Sequence, residues 1–357
     1  MTIPSICGKR PGVSREVVKR ICSAGGLRSA VVVCALAGAM VSAGAQAAAV
    51  PRAVYGVTGS GWSTPTVLFR TNPIQDVSCP SASFCFAADD FGNAATWNGH
   101  AWHSAGVVGG QRFYMTLDDV TCVSASFCAA AVDSEAVTGE VLVTWNGKSW
   151  SAPSARIGSA LSQHDVSCTS ASFCIAVSSP NSATWNGSTW NPAPNLAETL
   201  TSPVNGVSCA SPSFCVAVDE SGRAVTWNGQ SWSPPRKVTS EILSSVSCVS
   251  PSFCVAVNGN RQALRWNGKS WTHQVVITEG GGSFYVSCTS RSFCLSLHVG
   301  GEAATWNGQA WSKPSKAGFV ISDQRYPDGL SCISPKLCAA AVDVGGGGAV
   351  SFWRRPT

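Results

Sequence analysis

Several signatures of catalysis and of membrane insertion are missing from this sequence. It contains no glycine-rich nucleotide-binding loop, no zinc-protease helix and no GxSxG nucleophile elbow. Beyond residue 50, no uncharged segment is long and apolar enough to resemble a transmembrane helix. No CxxC pair occurs, and the five histidines do not repeat at matching positions, so no metal centre is indicated. These absences leave the repeats and the charge pattern as the informative features.

The amino-terminal segment is organised as a signal peptide. Residues 1–28 carry six basic residues and one acidic residue, and an uncharged Ala/Val-rich stretch follows from Ser29 to Val50. We expect cleavage after Ala47, in the small-residue frame Ala45-Gln46-Ala47. An uncleaved membrane anchor is the alternative, which the weakly apolar composition of the stretch disfavours. Residues 1–47 are therefore predicted to be removed, and residues 48–357 to form a secreted, extracellular domain.

Removal of this segment changes the charge balance. The first 47 residues hold six of the 24 basic residues and one of the 19 acidic residues, so the rest of the chain carries eighteen of each. Binding to nucleic acid or to an anionic membrane normally requires a basic excess. We therefore expect neither partner for the mature domain, and we expect a monomer.

The mature chain is built from seven repeats. Each repeat carries Cys-x5-Cys, the first cysteines are 39 to 46 residues apart, and six of the seven pairs are followed by WNGxxW. In the fourth repeat, alternation and turn residues predict strands at Gly206–Cys209, Phe214–Val218, Arg223–Trp227 and Ser231–Ser233. The Asn-Gly pair predicts a tight hairpin in which both residues adopt positive φ. The two tryptophans are expected to meet across that hairpin.

Four-strand units of this length, repeated seven times, predict an all-β, seven-bladed β-propeller over residues 48–357. The seventh repeat ends without a fourth strand. Gly59 to Pro65 matches Gly229 to Pro235 at the glycine, the tryptophan, the next serine and the last proline. We therefore predict that an amino-terminal strand completes the last blade and closes the ring.

The CxSxSFC and WNGxxW motifs resemble those of secreted β-propeller repeat proteins from actinobacteria, and the resemblance covers nearly all of the mature chain. It implies the propeller architecture and is silent about activity, because this fold hosts lectins, lyases, glycosidases and scaffolds. The chain lacks the S-x-D-x-G-x-x-W box of sialidase-type propellers and the WD dipeptide of WD40 blades. The functional residues of those families are therefore not transferred to this chain.

The recurring cysteine pairs predict local disulfides. A hairpin between the first and second strands of a repeat brings the two thiols of Cys-x5-Cys opposite each other, and an exported protein meets oxidising surroundings. The predicted bridges are Cys79–Cys85, Cys122–Cys128, Cys168–Cys174, Cys209–Cys215, Cys248–Cys254, Cys288–Cys294 and Cys332–Cys338.

Candidate binding residues lie where the repeats differ, just before each leading cysteine. Asp76, Asp119 and Asp165 occupy this position in three successive repeats, with His164 beside them and Tyr285 further round the predicted ring. One interpretation is a carboxylate arc that binds a polar ligand or calcium at the channel mouth. The other is that these are ordinary turn residues leading into a strand. Apart from the possible calcium, no cofactor is predicted.

Two long linkers enter the same predicted face. Arg112 and Tyr114 lie between the first and second repeats, and Arg325 and Tyr326 lie between the sixth and seventh. Arginine next to an aromatic residue suits recognition of sugars, peptides or carboxylates, and variable loops on a rigid scaffold commonly bind ligands. Packing of the loops themselves is an equally good explanation.

Three functions remain open at the level of sequence. The favoured hypothesis is a secreted, non-catalytic binding propeller for a glycan, a peptide or another envelope component, because the chain contains no local catalytic signature. The second is a propeller enzyme, a lyase or a glycoside-acting hydrolase, that uses the three aspartates and His164. The third is a purely structural surface protein.

Overall fold

The computed structural model describes residues 61–108, 115–134, 139–157, 164–194, 196, 200, 202–275, 284–318 and 329–356. These residues form 28 strands in seven antiparallel sheets of four strands each. The predicted all-β, seven-bladed β-propeller is thereby confirmed. No helix long and apolar enough to cross a membrane occurs within these ranges.

Each blade contains strands A to D, of which the A strands contact one another around the centre of the ring. The A strands are β2 (Ile74–Ser81), β6 (Met115–Ser124), β10 (His164–Ser170), β14 (Val204–Ser211), β18 (Leu243–Ser250), β22 (Phe284–Ser290) and β26 (Leu330–Ser334). The B strands are β3 (Phe84–Asp89), β7 (Phe127–Ser134), β11 (Phe173–Ser178), β15 (Phe214–Asp219), β19 (Phe253–Asn258), β23 (Phe293–His298) and β27 (Leu337–Val344).

The C and D strands complete the blades towards the outside. The C strands are β4 (Asn93–Trp97), β8 (Gly139–Trp145), β12 (Asn181–Trp185), β16 (Arg223–Trp227), β20 (Gln262–Trp266), β24 (Glu302–Trp306) and β28 (Gly347–Arg354). The D strands are β5 (Trp102–Val107), β9 (Ala155–Arg156), β13 (Trp190–Ala193), β17 (Arg236–Lys237), β21 (Trp271–Val275), β25 (Ser315–Lys316) and, in blade seven, β1 (Thr66–Phe69).

The core lies between the blades. Seven clusters of buried apolar residues occur, and each joins two neighbouring blades. The B strands are buried on both faces because each is covered by the blades on either side, which explains their continuous small apolar runs such as Cys215-Val216-Ala217-Val218. The fold therefore depends on closing the ring, since every blade requires two neighbours.

The last blade contains strands from both ends of the chain. Its strand order is β1-β28-β27-β26, with β1 antiparallel to β28. Trp62 bridges Trp353, and Ser63 exchanges hydrogen bonds with Phe352 at 2.8 and 3.0 Å. Ser233 and Thr226 make the same pair of bonds in blade four, at 2.8 and 3.0 Å. Residues 1–60, with the predicted signal peptide and part of the Gly59 to Pro65 match, lie outside the described residues.

All seven predicted disulfides are present. In six blades the two cysteines are direct partners in the A–B register, and in all seven their Cα atoms are 3.9 to 4.0 Å apart. The prediction that the WNGxxW tryptophans meet across strands C and D is also confirmed, with ring centroids 5.4 to 5.9 Å apart. The pairs are Trp97–Trp102, Trp145–Trp150, Trp185–Trp190, Trp227–Trp232, Trp266–Trp271 and Trp306–Trp311.

Two local predictions need correction. The C–D connection is a four-residue loop, in which only the glycine has positive φ. The asparagine instead accepts hydrogen bonds from the next two or three backbone N–H groups, as Asn98 does from His100 and Ala101. In blade four the predicted D strand at Ser231–Ser233 is reduced to a bridge at Trp232, and the regular ladder begins at Arg236. Pro234 and Pro235 intervene, and they have no N–H to donate.

Strand direction gives the ring two distinct faces. We call the face where the A strands begin the entrance face; it also holds the B–C turns and the D–A linkers. We call the opposite face the disulfide face; it holds the A–B turns and the C–D loops. On the disulfide face the first tryptophan of each C–D loop donates its indole N–H to the carbonyl of the A–B turn, as in the 3.2 Å bond from Trp97 to Ala82.

Candidate functional site

A cavity of about 180 Å³ lies at the centre of the ring. Every blade contributes to its wall through the three or so residues that precede the first cysteine of its A strand. Asp76, Asp119, Asp165 and Tyr285 are among the lining residues, so the structure brings these four predicted residues to one channel. His164 pairs with Ser178 at the start of the same A strand as Asp165.

The three aspartates hydrogen-bond to the next blade. Asp76 Oδ2 accepts the N–H of Val120 at 3.0 Å, Asp119 Oδ2 accepts that of Val166 at 2.6 Å, and Asp165 Oδ2 accepts that of Val207 at 2.6 Å. Asp76 and Asp119 are 2% and 5% exposed. The carboxylates therefore join consecutive A strands, a role that neither interpretation from sequence included.

The hydrogen bonds of the aspartates compensate for an edge that is unpaired in every A strand. One edge of each A strand faces the channel and has no neighbouring strand to pair with. A backbone N–H that is buried without a partner costs about 1–3 kcal/mol, and a carboxylate makes a stronger acceptor than a neutral group. The aspartates thus satisfy donors that the sheet ladders leave unpaired.

A second belt of hydrogen bonds was missed at the level of sequence. The serine before the first cysteine in six blades accepts the N–H of the corresponding cysteine in the next blade, at 2.8 to 3.0 Å. The donor and acceptor pairs are Cys122–Ser78, Cys209–Ser167, Cys248–Ser208, Cys288–Ser247, Cys332–Ser287 and Cys79–Ser331. Thr121 stands at this position in blade two. The recurring Ser-Cys dipeptide was the available signal for this belt.

Blades four and five make other hydrogen bonds to the next blade. Asn205 donates its side-chain N–H to the carbonyl of Leu243 at 2.9 Å, and Ser245 accepts the N–H of Val286 at 3.4 Å. Tyr285 is 4% exposed, and the neighbouring Phe284 packs on the ring of His298 with centroids 4.5 Å apart. The aromatic side of the ring is therefore largely buried.

The three carboxylates considered above for calcium each accept a backbone N–H of the next blade. Across the described ranges, no group of three or more His, Cys, Asp or Glu side chains is arranged so that it could hold a metal ion. The acidic B–C turn residues bind their own turns instead. Asp89 accepts bonds from Asn72, Phe91 and both nitrogens of Asn93, while Asp219 pairs with Arg223 at 2.7 Å.

The entrance face also exposes several large apolar side chains. Phe91 is 54% exposed in the B–C turn of blade one, and Val344 is 42% exposed at the end of β27, next to the B–C turn of blade seven. Blades one and seven are neighbours in the ring. Ile242, which precedes blade five, is 51% exposed. Sequence reasoning did not identify these residues, because an apolar residue in a turn is not distinguishable from one that packs inward. Arg112, Tyr114, Arg325 and Tyr326 lie outside the described residues, and their binding role stays a prediction.

Comparison with solved structures finds the same fold at low sequence identity. The structure of YCF48 bound to D1 peptide matches with a TM-score of 0.60 and 13% identity, over 85% of this chain and 98% of that one. The WD40 β-propeller domain of Doa1 matches with a TM-score of 0.62 and 14% identity, over 84% and 98%. U3-55K matches with a TM-score of 0.63 and 11% identity, over 84% and 100%.

Comparison of the sequence with protein-family models and with curated proteins finds no match. At 11 to 14% identity, the structural similarity shows the propeller fold alone.

Proposed function

We propose that residues 48–357 form a secreted, non-catalytic binding propeller that recognises a peptide at its entrance face. The observation that carries this proposal is the pair of exposed apolar side chains, Phe91 and Val344, on neighbouring blades of that face. Exposed apolar residues on the loops of a propeller scaffold are typical of protein and peptide recognition. A glycan or another envelope component is the alternative ligand.

The linkers support the same location. By chain order, the linker with Arg112 and Tyr114 leaves blade one, and the linker with Arg325 and Tyr326 enters blade seven. Arginine and tyrosine are enriched among the residues that dominate binding energy. We infer that they flank the Phe91 and Val344 patch and contact the same ligand. The similar propeller YCF48, whose structure contains a D1 peptide, is a precedent for a peptide ligand on this fold.

The enzyme alternative depended on the aspartates at the channel. A glycoside hydrolase requires two carboxylates that act on the substrate as acid and base or nucleophile. Asp76, Asp119 and Asp165 each hold a backbone N–H of the next blade, which accounts for these residues without catalysis. This favours binding over catalysis.

The test is a screen of peptide and glycan arrays with the domain purified from the culture medium, where its first residue should be Ala48 and no thiol should be free. We expect a peptide to be retained. Its affinity should fall by about tenfold or more in Phe91→Ser and Arg112→Ala, because aromatic and arginine contacts dominate such interfaces. Ile242→Ser is the matched control, since Ile242 is equally exposed but lies beside blade five. Retention of no peptide, or equal losses in all three variants, would refute the proposal.

A further inference from the structure

The neutral charge of the mature domain conceals a separation of charge between the two faces. Within the described ranges, acidic residues lie only at the entrance end of the strands: at the starts of the A and C strands, at the ends of the B strands, in the B–C turns and in the linker at Glu241. No acidic residue of these ranges lies in an A–B turn or a C–D loop. The charged side chains in the described turns and loops of the disulfide face are therefore all basic.

The cations of the disulfide face are concentrated in blades five to seven. The five cations of this face in the described part of these three blades are all exposed; they are Lys269, Arg291, Lys336, Arg354 and Arg355. We call this set the cationic arc. Lys148 in blade two is a sixth exposed cation on the same face. Within the described ranges, no acidic side chain lies in the turns and loops that carry these five positive charges. They therefore produce a local field that favours anions, and the effect of such a field on association weakens as salt is added.

Blade seven departs from the repeat in a way that creates this arc. Lys336 replaces the second serine of the Ser-x-Ser turn, and Arg354-Arg355 replaces the Asn-Gly of the C–D loops. The N–H of Arg355 donates to the carbonyl of Lys336 at 3.2 Å, so the basic residues are neighbours in space. Arg354 also lines a cavity of about 160 Å³ between blades seven and one, together with Trp97, Leu337 and Phe352.

Pairs of serine hydroxyls accompany the cations. In six A–B turns the two serines of Ser-x-Ser place their Oγ atoms 3.0 to 3.5 Å apart. The guanidinium of Arg291 donates to both hydroxyls of the pair in the preceding blade, Ser250 and Ser252, which shows that a pair can accept an external donor. In the other five pairs the second serine is exposed. These hydroxyls offer neutral hydrogen bonds between the charged positions.

Within the described ranges, the disulfide face exposes no large apolar side chain, which argues against two classes of anionic partner. The large apolar side chains that are exposed in the described ranges are Val67, Phe91, Ile242 and Val344, and none of them lies in an A–B turn or a C–D loop. Insertion into a lipid surface uses exposed apolar residues, and binding of single-stranded nucleic acid uses exposed aromatic rings. The disulfide face has charge and hydroxyls without either.

We propose that the disulfide face binds an anionic polysaccharide, a carboxylated sugar polymer whose charges pair with the cationic arc and whose hydroxyls bond to the serine pairs. This surface is opposite the proposed peptide site, so one domain would attach to a polymer while its entrance face stays accessible. The inference is independent of the proposed function and holds or fails without it.

The test measures binding of the mature domain to polygalacturonate by titration at low and at high ionic strength. The arc variant K336Q/R354Q/R355Q removes three charges from blade seven. The control variant R70Q/K237Q/K316Q removes three exposed charges from the entrance end of the ring. We expect the arc variant to lose about tenfold or more in affinity, the control to stay within about twofold, and added salt to weaken the wild type most.

Three results would overturn the proposal. The first is equal affinity of the wild type for polygalacturonate and for neutral dextran, which would remove the role of charge. The second is an equal loss in the arc and control variants. The third is tighter binding to duplex DNA or to phosphatidylglycerol vesicles than to polygalacturonate, which would assign the face to another partner. Because the substituted residues are exposed, unfolding curves of both variants should overlay that of the wild type.

Discussion

At the scale of single residues, the aspartates of the A strands illustrate how a charged side chain can serve the scaffold of a repeat protein. Asp119 is nearly buried, yet its carboxylate accepts the N–H of Val166, which is itself buried. The charge-assisted bond offsets part of the cost of removing the carboxylate from water. With the same geometry in Asp76 and Asp165, the three carboxylates join blades one to four into one hydrogen-bonded series.

Removal of one such carboxylate should destabilise the domain. We expect Asp119→Ala to lower the free energy of unfolding by about 2 kcal/mol, because the N–H of Val166 loses its acceptor inside the ring. Urea denaturation followed by tryptophan fluorescence measures this change. Asp343→Ala is the control, since Asp343 accepts the N–H of Gly346 in an exposed turn and its loss should cost less. A loss of peptide affinity without a loss of stability in Asp119→Ala would return this residue to the binding site.

At the scale of elements, the disulfide face of each blade is one connected unit. The disulfide joins strands A and B, the first tryptophan of the C–D loop holds the A–B turn carbonyl, and the loop glycine packs on the second serine of that turn. In blade one, a Cβ added to Gly99 would lie 3.3 Å from the Cα of Ser83. This geometry recurs in the six blades with a C–D loop, so each of these blade ends is held by a covalent bond, a hydrogen bond and close packing.

Two glycines of blade one separate the effect of conformation from that of packing. Gly99 and Gly106 have φ of +93° and +80°, but a Cβ on Gly106 would have no atom within 4 Å. We expect Gly106→Ala to cost about 1 kcal/mol from left-handed strain alone. Gly99→Ala should cost more, because the A–B turn must also move. Chemical denaturation of both variants tests this order, and equal costs would contradict the packing role of Gly99.

At the scale of the whole molecule, stability depends on the junction of the two ends of the chain. β1 covers the outer edge of β28, and Trp62 is fully buried against the last blade. One hydrophobic cluster joins blades six and seven, and another joins blades seven and one. Trp62 belongs to the cluster between blades six and seven. Loss of the amino-terminal strand would therefore affect the ring beyond one blade.

Deletion of residues 48–69 should destabilise the last blade by removing one side of this junction. Without β1, the edge of β28 is unpaired and the apolar surface around Trp353 is uncovered, which favours intermolecular strand pairing. We expect a lower thermal midpoint and soluble aggregates by size-exclusion chromatography. Deletion of residues 48–58 alone preserves the contacts of Gly61, Trp62 and Ser63, and serves as the control. An unchanged midpoint after the longer deletion would show that the ring does not need this closure.

The predictions from sequence succeeded where the relevant atoms are close in the chain. The disulfide partners are six residues apart and the tryptophan pairs five, so spacing and strand alternation were sufficient to identify them. The D strand of blade four was predicted too early in the chain. Pro234 and Pro235 interrupt the strand pairing locally, and a match of the tryptophan and serine between repeats does not reveal this interruption. The exposure of Phe91 could not be predicted, since it depends on what the neighbouring blades leave uncovered.

The number of blades follows from counting the repeats, and the cysteine partners and tryptophan pairs lie within single repeats, so local patterns in the chain are sufficient to predict all three. The role of the A-strand aspartates and serines required the folded ring, because the bonds of Asp76, Asp119 and Asp165 reach 42 to 47 residues along the chain into the next blade. The tertiary structure also decided that a neutral domain has one face without acidic residues in its described part. A net charge does not record where the charged residues lie, whereas antiparallel strands place alternate turns on opposite faces.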